Sequence, residues 1–134
     1  MRKTSVESND RTTTISDLKT AVATFAEERD WEQFHDPKNL VMAMVSEIGE
    51  LSEHFRWVRS EEAFATAADP ANAEDIAHEL ADILMFALEF ANVCDIDIAK
   101  AVSSKIEINR QRYPIEKAKG RSDKYNRLDD SSSQ

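Results

Sequence analysis

A chain of 134 residues is long enough to bury a real core but short enough to be one domain, so a ligand groove would form most easily between helices or subunits. With 26 acidic against 17 basic residues and a formal net charge of −9, it lacks the electrostatic footprint expected for binding a nucleic acid polymer or an anionic membrane. One cysteine, Cys94, excludes an internal disulfide framework, and no apolar run approaches the roughly 18 residues of a spanning helix, so a cytoplasmic location is expected.

In chain order, residues 1–13 are polar and without apolar period, and read as a disordered tail. The folded part is expected over 14–115. Only two glycines and three prolines interrupt a chain rich in Ala, Leu, Glu and Lys, which favours helices over a turn-rich sheet protein. The first helix follows TTTIS with a Ser or Thr cap and runs to about Glu28, with Leu18, Val22 and Phe25 on its apolar face. Asp36 and Pro37 in DPKNL open a second helix that continues to about Val58. After the connection RSEEAFATAA, a cap signal of the same form, Asp69 before Pro70, opens a third helix to about Val93. Asp97 caps a fourth, which must stop near Tyr113 because Pro114 disfavours helix in the residue before it. Residues 116–134 read as a second polar, disordered tail. The fold class is all-α, an antiparallel arrangement of four main helices resembling a four-helix bundle.

Two of these helices carry acids beside their apolar stripes. On the second, Leu40, Val41, Met44, Ile48, Leu51 and Phe55 form one stripe, with Glu47 on its border and Glu50 about 60° further round. On the third, Ile76, Leu80, Ile83, Leu84, Ala87 and Phe90 form the stripe, while Glu79 and Asp82 occupy a border at i and i+3. If the stripes pack together, the pairs converge on one groove. Carboxylates crowded in a partly buried site would be pushed towards protonation unless a cation compensates them. All-oxygen donors without Cys or a well-placed His favour a hard ion, Mg²⁺ or Mn²⁺, over Zn²⁺. The bland alternative is a pair of solvated helix borders. Glu53 fits that alternative best, because Arg56 offers it a local partner.

Aromatic residues accompany the acids. Trp57 lies seven residues after Glu50 and Phe86 seven after Glu79, about 10 Å of helix in each case and comparable to the reach from a nucleotide's phosphates to its base. For Trp57 and Phe86 plain core packing is the alternative; Trp31, Phe34 and His35 in DWEQFHDP precede the second helix and could close the aromatic end, although a lone loop His is more often an exposed or capping residue than a ligand. On the fourth helix Lys105, Asn109 and Arg112 share one face, a local source of positive charge for phosphate, or else a solvated face with Glu107. Gly49, far from the stripe, is read as tolerated for close approach of another backbone or as a neutral accident.

The EIGE and ELAD segments together with KIEINRQRYP resemble the all-α nucleoside triphosphate pyrophosphohydrolases of the MazG-like superfamily. FAEERDWEQFHDPKNL followed by SEIGELSEHFRW is similar to the dCTP pyrophosphatase branch, and the likeness covers roughly residues 15 to 125. The resemblance implies a Mg²⁺-dependent enzyme, with Mn²⁺ as a second possibility, that converts dCTP or a 5-substituted dCTP to the monophosphate and pyrophosphate. It implies a homo-oligomer, a dimer of dimers, with the metal held by Glu47, Glu50, Glu79 and Asp82. It also implies that Lys105 and Asn109 contact phosphate or sugar, that Arg112 and Tyr113 finish the phosphate end, and that Trp31, His35 and Trp57 line the base pocket, some of them from a neighbouring subunit. Phe86 stands where the family often has Tyr, which leaves base preference open, so broad or dUTP specificity is an alternative. Glu50, with Glu47 beside it, is the expected base for an attacking water. A carboxylate-bridged di-iron protein would use Glu-x-x-His pairs, and neither Glu50 nor Glu79 has His at i+3. A non-catalytic helical interaction module is the remaining alternative.

Overall fold

The computed structural model describes residues 7–129, which form six α-helices joined by turns and short 3₁₀ segments, with no strand. The helices are α1 (Ile15–Glu27), α2 (Pro37–Glu53), α3 (Ala63–Ala68), α4 (Ala73–Val93), α5 (Ile98–Arg112) and α6 (Ile115–Ala118). The all-α expectation is borne out. The chain divides into two compact units, the first ending at Ile96 and the second beginning at Asp97.

Local chemistry sets most boundaries of the first unit. At α1, the Asp17 amide donates to Thr14 Oγ1 (3.0 Å) and the Thr14 amide to Asp17 Oδ2 (2.8 Å), a reciprocal capping box. That backbone hydrogen bond, favouring the charged form, also holds the Asp17 carboxyl below its ordinary value. At α2, Asp36 accepts from the Asn39 amide (2.9 Å) and Pro37 takes the first helical position. The helix stops at Glu53, earlier than Val58, and the following residues turn. The second Asp-Pro pair behaves differently: Asp69 accepts from the Ala71 amide (2.9 Å), which makes a turn, and α4 starts only at Ala73, without a side-chain cap. The connection before it holds the short helix α3, which carries no apolar period long enough to reveal it.

Two left-handed residues end the helices that build the site. Asp30 (φ 54°) follows α1 and Asp95 (φ 53°) follows α4; past them, the Trp31 amide donates to the Ala26 carbonyl (3.0 Å) and the Ile96 amide to the Ala91 carbonyl (2.9 Å). α2 and α1 both pack on α4, around buried Ala26, Leu40, Leu88 and Ala91. A polar clamp fastens α1 to α4: Asn92 Nδ2 donates to the Lys19 carbonyl (2.9 Å), and Lys19 Nζ to the Ile96 carbonyl (2.8 Å). The expected stripe of α2 is buried on one side only, for Leu40 is 1% exposed whereas Val41 and Ile48 are 42% and 50% exposed.

In the second unit, Asp97 caps α5 by accepting from the Lys100 amide (2.9 Å), and the helix ends at Arg112 ahead of Pro114. Residues 116–129, expected to lack structure, contain most of α6 and a 3₁₀ turn at Tyr125–Arg127, with Leu128 buried. Tyr125 is the anchor: its ring lies edge-on to Tyr113 (centroids 6.1 Å apart) and 4.9 Å from the Arg112 guanidinium. The outer parts of both expected tails, residues 1–6 and 130–134, lie outside the described residues.

Candidate active site

The packing of α2 on α4 brings the two acid pairs to one place. One carboxylate oxygen from each of Glu47, Glu50 and Glu79 lies within 4.8 Å of the others. Glu47 and Glu79 are partly buried and Glu50 is exposed, so the cluster has a dry side and a wet side. Desolvation pushes the Glu47 carboxyl up from its ordinary value, and the charges of Glu50, Asp82 and Glu79 add to the shift. Asp82 stands outside the tight trio yet acts on Glu47 through its charge. Glu79 Oε2 is buried without a hydrogen-bond partner among the described residues. An orphaned carboxylate oxygen beside crowded acids suits a cation site: the donors are hard and, among the described residues, not paired with Lys or Arg. The residues therefore fit a hard divalent ion.

Glu53, by contrast, is paired with Arg56 (2.8 Å) and both are well exposed, the solvated arrangement its spacing suggested. A methyl group added at Gly49 would meet nothing within 4 Å outside its own helix turn, so no backbone of another element approaches it closely among the described residues.

Beside the acids opens a pocket of about 400 Å³, lined by Val22, Phe25 and Ala26 of α1, by Trp31 and His35, by Glu47 of α2, and by Asp82, Met85, Phe86 and Glu89 of α4. Its size suits a small ligand. The Trp31 ring is edge-on to Phe25 (centroids 5.6 Å apart) and to His35 (6.5 Å), so the turn after α1 folds the aromatic loop over the pocket. At the far end, Glu89 is 5% exposed, with its Oε2 3.5 Å from His35 Nδ1. Neither atom has a hydrogen-bond partner among the described residues.

Of the residues singled out from sequence, Glu47, Asp82, Trp31, His35 and Phe86 share this pocket, and Glu50 and Glu79 adjoin it through Glu47. Trp57 does not line it: α2 ends four residues before Trp57, which is 86% exposed, its ring 5.4 Å from the Arg56 guanidinium. Phe34, also mostly exposed, is absent from the lining. Lys105 and Asn109 are exposed on α5 in the second unit, where Arg112 and Tyr113 engage Tyr125. Sequence reasoning missed Val22 and Phe25 as pocket walls, having placed them in the core, and missed Glu89. The signal for Glu89 was present: it lies seven residues after Asp82, two turns along the same flank.

An all-helical fold with carboxylate pairs from two packed helices, opening onto an aromatic-lined pocket, defines the class of helical, metal-competent acid-cluster proteins. Within that class the chain belongs to the MazG-like family, whose profile matches residues 42–128. It is 43% identical over 115 residues to dCTP pyrophosphatase 1 of Rattus norvegicus, of Mus musculus and of Homo sapiens, covering 86% of this chain and 68% of each relative. Among solved structures it resembles a pyrophosphatase from Archaeoglobus fulgidus, with a TM-score of 0.71 and 30% identity, covering 81% of this chain and 99% of that one.

Proposed function

We propose that the protein is a nucleoside triphosphate pyrophosphohydrolase that converts dCTP, or a 5-substituted dCTP, to the monophosphate and pyrophosphate, cleaning the nucleotide pool of the cytoplasm. The observation that carries the reading is that one pocket is bounded by the acids Glu47 and Asp82 and by the rings of Trp31, His35 and Phe86. A ligand that fills it must suit a cation site and an aromatic slot together, as a nucleotide–metal complex does. Relatives that bear the name dCTP pyrophosphatase support the choice of substrate.

Glu47, Glu50, Glu79 and Asp82 would hold Mg²⁺, with Mn²⁺ as a substitute. When bound, the ion neutralises the phosphates and lowers the pKa of water in its shell. The residues supply the rest. Glu50, the exposed acid of the trio, is placed to take the proton of the attacking water, with Glu47 beside it. Phe25, Trp31 and Phe86 exclude water around the base. Lys105 and Asn109 are proposed to contact phosphate or sugar, and Arg112 and Tyr113 to finish that end. Trp57 is proposed to wall the base pocket of a neighbouring copy in a homo-oligomer, a dimer of dimers. Its own exposure supports this, as does that of Val41, Met42, Val45 and Ile48 on α2.

The test is pyrophosphate release from a panel of canonical and 5-modified deoxynucleoside triphosphates, with and without Mg²⁺. Release from dCTP that stops on chelation is expected; no release from any member of the panel overturns the reading.

A further inference from the structure

Glu89 is a buried acid that the proposed reaction does not use. It sits on α4 seven residues beyond Asp82, about 10 Å along the helix, on the face that carries Asp82, Met85 and Phe86 into the pocket. Its burial is costly for a carboxyl group, and a purely structural acid would be compensated by well-formed hydrogen bonds. Instead Glu89 Oε2 and His35 Nδ1 stand 3.5 Å apart, both without a hydrogen-bond partner among the described residues, in a pocket whose other walls at that end are apolar or aromatic.

We infer that Glu89 is a specificity-determining residue: its carboxylate reads the exocyclic amino group of a 4-aminopyrimidine base, while His35 Nδ1–H is offered to the adjacent ring nitrogen. This rests on the pyrophosphohydrolase reading. An ionised carboxylate only accepts, so it takes one hydrogen of a 4-amino group, the one on the side of the ring nitrogen. The ring nitrogen beside that group accepts and suits the imidazole N–H. Uracil and thymine present the opposite pattern, a carbonyl oxygen facing Glu89 and a ring N–H facing His35. Both contacts are then mismatched in a desolvated pocket, where unpaired polar groups discriminate most strongly. The distance along α4 between Asp82 and Glu89 matches the separation of phosphates from base, so one ligand reaches both.

The test compares wild type, Glu89→Gln and Glu89→Ala, with Glu61→Gln in an exposed 3₁₀ turn as a control. The readouts are kcat/KM for dCTP against dUTP, and the binding of dCMP against dUMP by calorimetry. Wild type and the control are expected to prefer the cytosine nucleotide in both. Glu89→Gln, whose amide can also donate to O4, is expected to reduce that preference by about ten-fold or more, chiefly through gain of dUTP use. Glu89→Ala is expected to lose affinity for dCMP. An unchanged dCTP-to-dUTP ratio and unchanged dCMP affinity in both variants overturn the inference while leaving the pyrophosphohydrolase reading intact. Absence of turnover in wild type, with dCMP still preferred in a Glu89-dependent way, overturns that reading and leaves the base-reading role standing.

Discussion

Crowding at Glu47 has consequences that separate stability from function. Its carboxyl is pushed up by desolvation first and by Glu50, Asp82 and Glu79 next, so the metal-free fold holds the proton more tightly than the unfolded chain does. The stability from this preference is present below the ordinary carboxylate value and is lost as pH rises through the raised one. In chelator, the unfolding midpoint of wild type is therefore expected to fall relative to that of Glu47→Gln as pH rises towards neutral. A constant gap between them would contradict the account. Added Mg²⁺ should close the gap by binding the ionised form. For the same reason, Glu79→Gln is expected to stabilise the metal-free protein by about 0.5 kcal/mol, by removing a like charge, while abolishing Mg²⁺-dependent activity. Glu50→Gln should fold normally yet lose about a hundred-fold or more in kcat, the usual contribution of a positioned base.

At the scale of the element, boundaries were legible where a side chain closed a cap. Thr14, Asp36 and Asp97 each accept a backbone amide at a helix start, and each was readable from residue type and position. Thr14→Ala is expected to cost about 1 kcal/mol in thermal or denaturant unfolding. Asp69-Pro70 carries the same letters as Asp36-Pro37 but makes a turn, because Asp69 bonds to the amide two residues on rather than three. Letters alone do not distinguish the two. The left-handed Asp30 was also invisible, yet it swings Trp31 back over Phe25 and so makes the pocket's roof. A methyl group at Gly49 would meet nothing among the described residues, so Gly49→Ala is expected to raise stability by up to about 1 kcal/mol through helix propensity, and a fall instead would reveal a close partner backbone.

Across the whole molecule, the acid pairs were legible because helical periodicity fixes which residues share a flank. The pocket was not, since its walls come from α1, the following loop, α2 and α4, and only tertiary packing unites them. Val22 and Phe25 looked like core positions and became walls. Exposed apolar residues on α2 mark where assembly is proposed, so Val45→Lys is expected to shift sedimentation towards smaller species. The central claim, that the acid cluster and the aromatic pocket act as one site on a deoxycytidine triphosphate, is tested most directly by following dCTP with Mg²⁺ by phosphorus NMR. The account predicts dCMP and pyrophosphate in equal amounts, both absent with chelator or in Glu79→Gln; dCDP with orthophosphate, or unchanged dCTP, would contradict it.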